Sequence, residues 1–221
     1  MSRRTPRISA AVLISGGGTN LQAFIDETVS GELDLDLKVV LSNKPDAAGL
    51  ERARKANIKV ECVEHRDFRE REQFDAKLVS VLNKYAPDMI ILAGFMRILS
   101  PVFIDRFAGK ILNIHPSLLP KYPGLNTHQR AIEAGESWHG STVHFATAEL
   151  DGGPRIIQGR VPVLRDDTAE SLALRVLKVE HQIYTQAAAL LASGRLVYRD
   201  GQAWLDGVPM DEPLQYTPPG K

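Results

Sequence analysis

Two polar residues stand one apart in the run Ile111-Leu112-Asn113-Ile114-His115-Pro116, and a third, Asp151, precedes Gly152-Gly153. Read as a strand, the run puts Asn113 and His115 on one face and packs Leu112 and Ile114 on the other. An Asn amide polarises a carbonyl oxygen, and a His donates to the oxyanion that forms when an amine attacks that carbonyl. A carboxylate such as Asp151 orients the histidine or receives a proton from the attacking amine through water. Each residue also has a plainer reading. A strand-end His often makes only a structural hydrogen bond, and Asp before Gly is common in turns for conformational reasons, so the signal lies in the combination.

A second candidate is Ser15-Gly16-Gly17-Gly18-Thr19-Asn20, between an apolar run and a helical pattern. Glycines there let backbone amides approach an anion at a helix N-terminus, which fits a phosphate. The run lacks the Gly-Lys-Ser/Thr ending of a nucleoside-triphosphate loop, and Leu21 stands where a dinucleotide fingerprint has its third glycine. The next strand ends in Ser42-Asn43 without a ribose-binding acid, which disfavours nicotinamide and flavin cofactors. A tight turn with no ligand is the alternative.

Positioning such groups requires a sheet. Apolar runs alternate with helical patterns through the first half, which predicts βαβ units and an α/β fold with a mostly parallel central sheet. Strands are expected at Ile8–Ser15, Leu37–Ser42, Lys59–Val63, Met89–Ala93 and Lys110–His115, with helices near Asn20–Glu27, Ala47–Ala56, Glu70–Tyr85 and Pro101–Phe107. Asn113 and His115 then lie at the C-terminal end of a parallel strand, where open α/β sheets place their sites. After His115 the regularity breaks in a loop holding Pro116, Pro120 and Pro123, followed by a helix near Thr127–Ala134. Ser141–Ala146 and Arg155–Val163 alternate like strands added antiparallel in the C-terminal half, separated by the turn Leu150–Pro154. A long amphipathic helix follows, with Asp167 and Glu170 spaced as a cap pair and an end before Gly194. Leu196–Leu205, centred on Asp200-Gly201, reads as a hairpin, and the last residues as frayed.

Composition narrows the partners. The 221 residues hold 43% hydrophobic and 24% charged residues, with 27 positive balanced by 27 negative. That neutrality argues against a broad basic footprint for nucleic acid and favours small-molecule partners. One domain is expected over 1–221, with halves at 1–107 and 108–195 and a tail at 196–221. The single cysteine, Cys62, forms no internal disulfide and reads as a buried strand thiol between Val60 and Val63. Three arginines before an apolar run imitate a signal peptide. The run is short and meets three glycines rather than a cleavage site, and no segment reaches the length of a membrane helix, so no membrane role and a cytoplasmic location are expected. No paired cysteines or His-x-x-x-His set suggests a metal, and His65, His128, His139, His144 and His181 read as surface or supporting groups.

The segments above, with Ala93–Leu99 and the run His115-Pro116-Ser117-Leu118-Leu119-Pro120-Lys121-Tyr122-Pro123-Gly124, resemble the phosphoribosylglycinamide formyltransferase family of the formyl-transfer superfamily. The resemblance covers nearly the whole chain, and Asn-x-His-Pro-Ser-Leu-Leu-Pro is its most specific part. It implies a Rossmann-like three-layer domain and transfer of a formyl group from 10-formyltetrahydrofolate, a co-substrate, to the amine of glycinamide ribonucleotide in purine synthesis, without a metal. It implies Asn113, His115 and Asp151 as the catalytic group. It also implies Gly18, Thr19, Asn20 and Glu180 on the ribonucleotide, and Arg71, Met96, Arg97, Ile98, Leu99 and Asn113 on the folate, with the loop leading to Asp151 closing over the pterin. Leu177 departs from the polar residue relatives often carry there. Rival readings are a formyltetrahydrofolate deformylase, which carries an extra N-terminal module, a methionyl-tRNA formyltransferase, which carries a further C-terminal domain, and a non-catalytic mononucleotide-binding module. A monomer or a homodimer fits.

Overall fold

The computed structural model describes residues 7–216, so the first two of the three N-terminal arginines and the last five residues, expected to fray, lie outside the described residues. The chain divides into two compact units, 1–111 and 112–221.

The first unit is built on a parallel sheet in the order β4-β1-β2-β3. Its strands are β1 (Ile8–Ile14), β2 (Leu35–Ser42), β3 (Lys59–Cys62) and β4 (Met89–Leu92). Ala10–Ile14 of β1 are all 0% exposed, because a central parallel strand is covered on both faces and needs a continuous apolar run rather than an alternating one. The helices are α1 (Thr19–Ser30), α2 (Ala48–Lys55), α3 (Arg71–Asn83) and α4 (Pro101–Arg106). Proline opens α4 at a position where its missing N–H has no intrahelical acceptor to lose.

Cys62 corrects one expectation. It ends β3, which among the described residues pairs only with β2, and its side chain is exposed rather than buried. An edge strand this short leaves its end uncovered, so the flanking valines misled. Partial desolvation of the thiol, then the charges of Glu64, Asp67 and Asp46, push its pKa up, which disfavours a reactive thiolate.

The second unit is antiparallel where the sequence predicts it. β5 (Ile111–His115) pairs antiparallel with β6 (Trp138–Phe145), β6 antiparallel with β7 (Arg155–Pro162), and β11 (Leu214–Tyr216) parallel with β7. β6 starts earlier than expected, at Trp138, because His139 and Gly140 already pair with Val161 and Arg160. α5 (Thr127–Glu133) follows the proline-rich loop. The long α6 (Ala169–Ala192) packs an apolar stripe, including Leu172, Val176, Val179 and Ile183, on β6 and β7.

The cap of α6 is one residue later than the spacing suggested. Thr168 accepts from Ser171 N while Ser171 Oγ accepts from Thr168 N, a reciprocal cap. Asp167 instead accepts from Leu164 N, Ser171 Oγ and Arg175. The hairpin expected at Leu196–Leu205 is β8 (Leu196–Arg199) and β9 (Gln202–Leu205), turning on Asp200 and Gly201, both with positive φ. β10 (Val208–Pro209) completes a small antiparallel sheet.

Candidate active site

Asn113 and His115 project from β5, and the β6 register sets His144 opposite Asn113 and Thr142 opposite His115. The far side of β5 is tied down by the hydroxyl of Tyr184, which donates to Leu112 O at 2.9 Å. His115 is 6% exposed and has a partner for each ring nitrogen. Nε2 donates to Tyr122 O at 2.9 Å, and Nδ1 lies 3.4 Å from Asp151 Oδ2, an ion pair when the ring is protonated. The same carboxylate oxygen accepts from Gly124 N at 2.9 Å. Asn113, His115 and Asp151 are therefore gathered as the spacing proposed.

Two loops hold this group. In the first, Ser117 Oγ donates to Lys121 O, Thr127 Oγ1 to Pro116 O, and Thr142 Oγ1 to Ser117 O. Leu119 O accepts from both Arg155 Nη1 and Gln158 Nε2. Tyr122 sits at φ 55, a left-handed conformation that costs a non-glycine residue about 1–2 kcal/mol. Its hydroxyl bond to Glu136 and the Arg130 guanidinium over its ring offset that strain and aim its carbonyl at His115. In the second loop Asp151 is also left-handed, at φ 53, a conformation aspartate tolerates well. A Cβ on Gly153 would fall 1.9 Å from Phe145 O, so only glycine lets this loop lie against β6.

His144 is the functional candidate that reading by motif assigned only a supporting place. It is 2% exposed, accepts the Asn113 amide at 3.0 Å, and lies 3.9 Å from Asp151 Oδ1. Burial pushes its basicity down, against the Phe145 carbonyl and Asp151, which raise it. The signal available in sequence was its place in an alternating strand that pairs with β5. His139 is likewise buried, hydrogen-bonded to His128 at 3.1 Å, and its pKa falls to about 4.

The first unit carries the other candidates. Gly18, at φ 69, caps α1 with no side-chain bond, and a Cβ there would meet Gly49 Cα at 2.8 Å. Thr19 is exposed and Asn20 buried, and the opening amides of α1 form the frame expected for an anion. Met96, Arg97 and Ile98 are exposed, and Leu99 is buried. That segment is pinned at both ends: Met96 N donates to Ser15 Oγ at 2.7 Å, and Ser100 N to the buried carboxylate of Asp75 at 2.5 Å. Ser15 Oγ in turn donates to Asn43 Oδ1, so one hydroxyl joins the glycine loop to the Met96 segment. Arg71 is exposed at the start of α3. In the second unit Glu180 is buried at 8% on α6, one turn from the half-buried Leu177. No cluster of His, Cys, Asp and Glu able to hold a metal occurs among the described residues.

The chain is similar to known proteins along most of its length. A formyl transferase family model matches residues 8–188. The chain is 50% identical over 200 residues to the phosphoribosylglycinamide formyltransferase of Escherichia coli (strain K12), covering 90% of this chain and 94% of that protein. Among solved structures, the phosphoribosylglycinamide formyltransferase of Coxiella burnetii in complex with CHES has a TM-score of 0.91 at 44% identity, over 96% of this chain and 100% of that one. A formyltetrahydrofolate deformylase of Pseudomonas syringae is more distant, at 25% identity and a TM-score of 0.84, with 66% of that chain covered. Matched by the family model across most of its length and half identical to one of its phosphoribosylglycinamide-specific members, the chain belongs to the formyl transferase family.

Proposed function

We propose that Asn113, His115 and Asp151 form the catalytic group of this enzyme. The reaction is transfer of the formyl group of 10-formyltetrahydrofolate to the amine of glycinamide ribonucleotide, giving formylglycinamide ribonucleotide in purine biosynthesis. The observation that carries the residue roles is the placement of Asp151 Oδ2 3.4 Å from His115 Nδ1, with Asn113 on the same strand face.

The amine lone pair attacks the formyl carbon, and the carbonyl oxygen becomes an oxyanion. Asn113 donates an N–H to that oxygen, and protonated His115 supplies positive charge beside it. Asp151 holds the imidazole and takes the proton the amine must lose, directly or through water. The bond from the formyl carbon to N10 then breaks, N10 leaves with a proton, and tetrahydrofolate is released. Holding both substrates in line removes much of the entropic barrier.

For binding, Gly18, Thr19, Asn20 and Glu180 serve the ribonucleotide, and Arg71, Met96, Arg97, Ile98, Leu99 and Asn113 serve the folate. The uncapped start of α1 supports the first set, and the exposed, doubly anchored Met96 segment supports the second. The whole chain acts as one formyltransferase domain in the cytoplasm, as a monomer or homodimer, on small molecules rather than on nucleic acid or a membrane. The match of a single family model to residues 8–188 supports the single domain. Among the described residues no helix is long and apolar enough to cross a membrane.

Steady-state turnover of 10-formyltetrahydrofolate with glycinamide ribonucleotide tests the roles. Loss of an oxyanion donor in Asn113→Ala is expected to lower kcat about 100- to 1,000-fold. Turnover equal to wild type in that variant would remove Asn113 from the chemistry.

A further inference from the structure

An amide has two unlike ends. Its oxygen accepts and its nitrogen donates, and a flip of Asn113 by half a turn exchanges them at almost no steric cost. Stabilising an oxyanion therefore needs something that chooses which end faces it. The antiparallel register puts His144 of β6 directly across from Asn113 of β5, where paired side chains meet. The Nδ1 atom of His144 lies 2.9 Å from Phe145 O. A carbonyl can only accept, so Nδ1 carries a hydrogen, and the neutral ring has a bare Nε2. That bare nitrogen is 3.0 Å from Asn113 Nδ2. The amide nitrogen must face it, because Oδ1 there would oppose lone pair to lone pair.

We infer that His144 is a positioning residue for formyl transfer: its Nδ1–H tautomer accepts one N–H of Asn113, fixes the amide's polarity, and leaves the second N–H for the developing oxyanion. This rests on the reading of Asn113 as an oxyanion donor. The groups that face the His144 ring are Asn113, the Phe145 carbonyl, Asp151 at 3.9 Å, and the charge of His115. Burial first, with His115 beside it, lowers the ring's basicity against the Phe145 carbonyl and Asp151, which raise it, in keeping with the tautomer the hydrogen bonds require. An imidazolium would present an N–H to Asn113 and turn the amide over. The main-chain bond from Nδ1 to Phe145 also fixes the ring plane, as a supporting partner does for a histidine that must offer one nitrogen.

Two variants and one spectrum test this on the full-length protein. In His144→Gln, Oε1 can accept from Asn113 while Nε2 donates to Phe145 O; in His144→Leu neither bond is possible. The leucine variant is expected to lose about 10- to 100-fold in kcat, with KM for both substrates within about threefold, and glutamine to restore most of the rate. Asn113→Ala/His144→Leu should be no slower than Asn113→Ala alone, since His144 acts through that amide. Nitrogen-15 NMR of the wild-type ring at pH 7.5 should show Nδ1 protonated and Nε2 bare, a readout that survives even if a variant fails to fold. Additive losses in the double variant, a loss confined to KM, or a protonated Nε2 would overturn the inference. Wild-type protein without transfer to glycinamide ribonucleotide would instead overturn the functional reading on which the inference depends.

Discussion

At the scale of single residues, the chemistry rests on hydrogen bonds whose direction is forced. Tyr122 O can only accept, so His115 Nε2 must donate to it, and the other nitrogen is left toward Asp151. Asp151→Asn keeps an oxygen for Gly124 N but removes the charge opposite His115. Its kcat is expected to fall about 100- to 10,000-fold, the range for losing a general acid or base, with an unchanged thermal midpoint. Circular dichroism melts beside initial rates check both halves, and an active Asp151→Asn would assign the aspartate to the turn alone. The grouping of Asn113, His115 and Asp151 proposed as catalytic was legible in sequence because alternation on a short strand and an Asp-Gly-Gly turn are local signals. His144 was not, because its importance comes from cross-strand register with β5, and no local pattern sets that register. Cys62 failed for a related reason: its flanks suggested burial, but only the sheet order shows that β3 lies at an edge.

At the scale of elements, strand and helix periodicity placed β1 to β5 and α1 to α5 to within a few residues, since each is a regular pattern with a clear breaker. The loop from Pro116 to Asn126 carries no such period. Its shape is fixed by distant groups, with Arg155 and Gln158 of β7 on Leu119 O and Thr142 of β6 on Ser117 O. β11 escaped for the same reason, being a three-residue strand whose partner is the remote β7. That loop also has a pH dependence. His139 donates to the Pro116 backbone and packs against His128, beside Tyr122, Glu136 and His115, and burial first, then His128, lowers its pKa from 6.5 to about 4. The neutral ring is thus favoured in the folded state. Stability from this group is full above pH 6.5 and is lost as pH falls from 6.5 to about 4, because the unfolded chain binds the proton first. The loss is on the order of 1–3 kcal/mol, or roughly 3–10 °C in Tm, over that window. Thermal melts between pH 7 and pH 4 should show the fall in wild type and a flatter profile in His139→Gln; identical slopes would remove His139 as the source.

At the scale of the whole molecule, composition excluded more than it assigned. Equal numbers of acidic and basic residues supply no long-range field for a phosphate, which is why its binding is proposed at a local group, the Gly18 turn. The fold class followed from the alternation of strands and helices, while the substrate followed from the resemblance and from 50% identity to a named formyltransferase. Transfer and hydrolysis differ only in what attacks the formyl carbon, an amine or water, so the most direct measurement follows both products in one mixture. Wild-type protein is given 10-formyltetrahydrofolate with and without glycinamide ribonucleotide, and tetrahydrofolate, formylated ribonucleotide and formate are quantified by mass. Transfer predicts tetrahydrofolate and formylated ribonucleotide in equal amounts when the amine is present, and negligible turnover when it is omitted. Formate released at a matching rate without the amine would contradict it and make water the true acceptor.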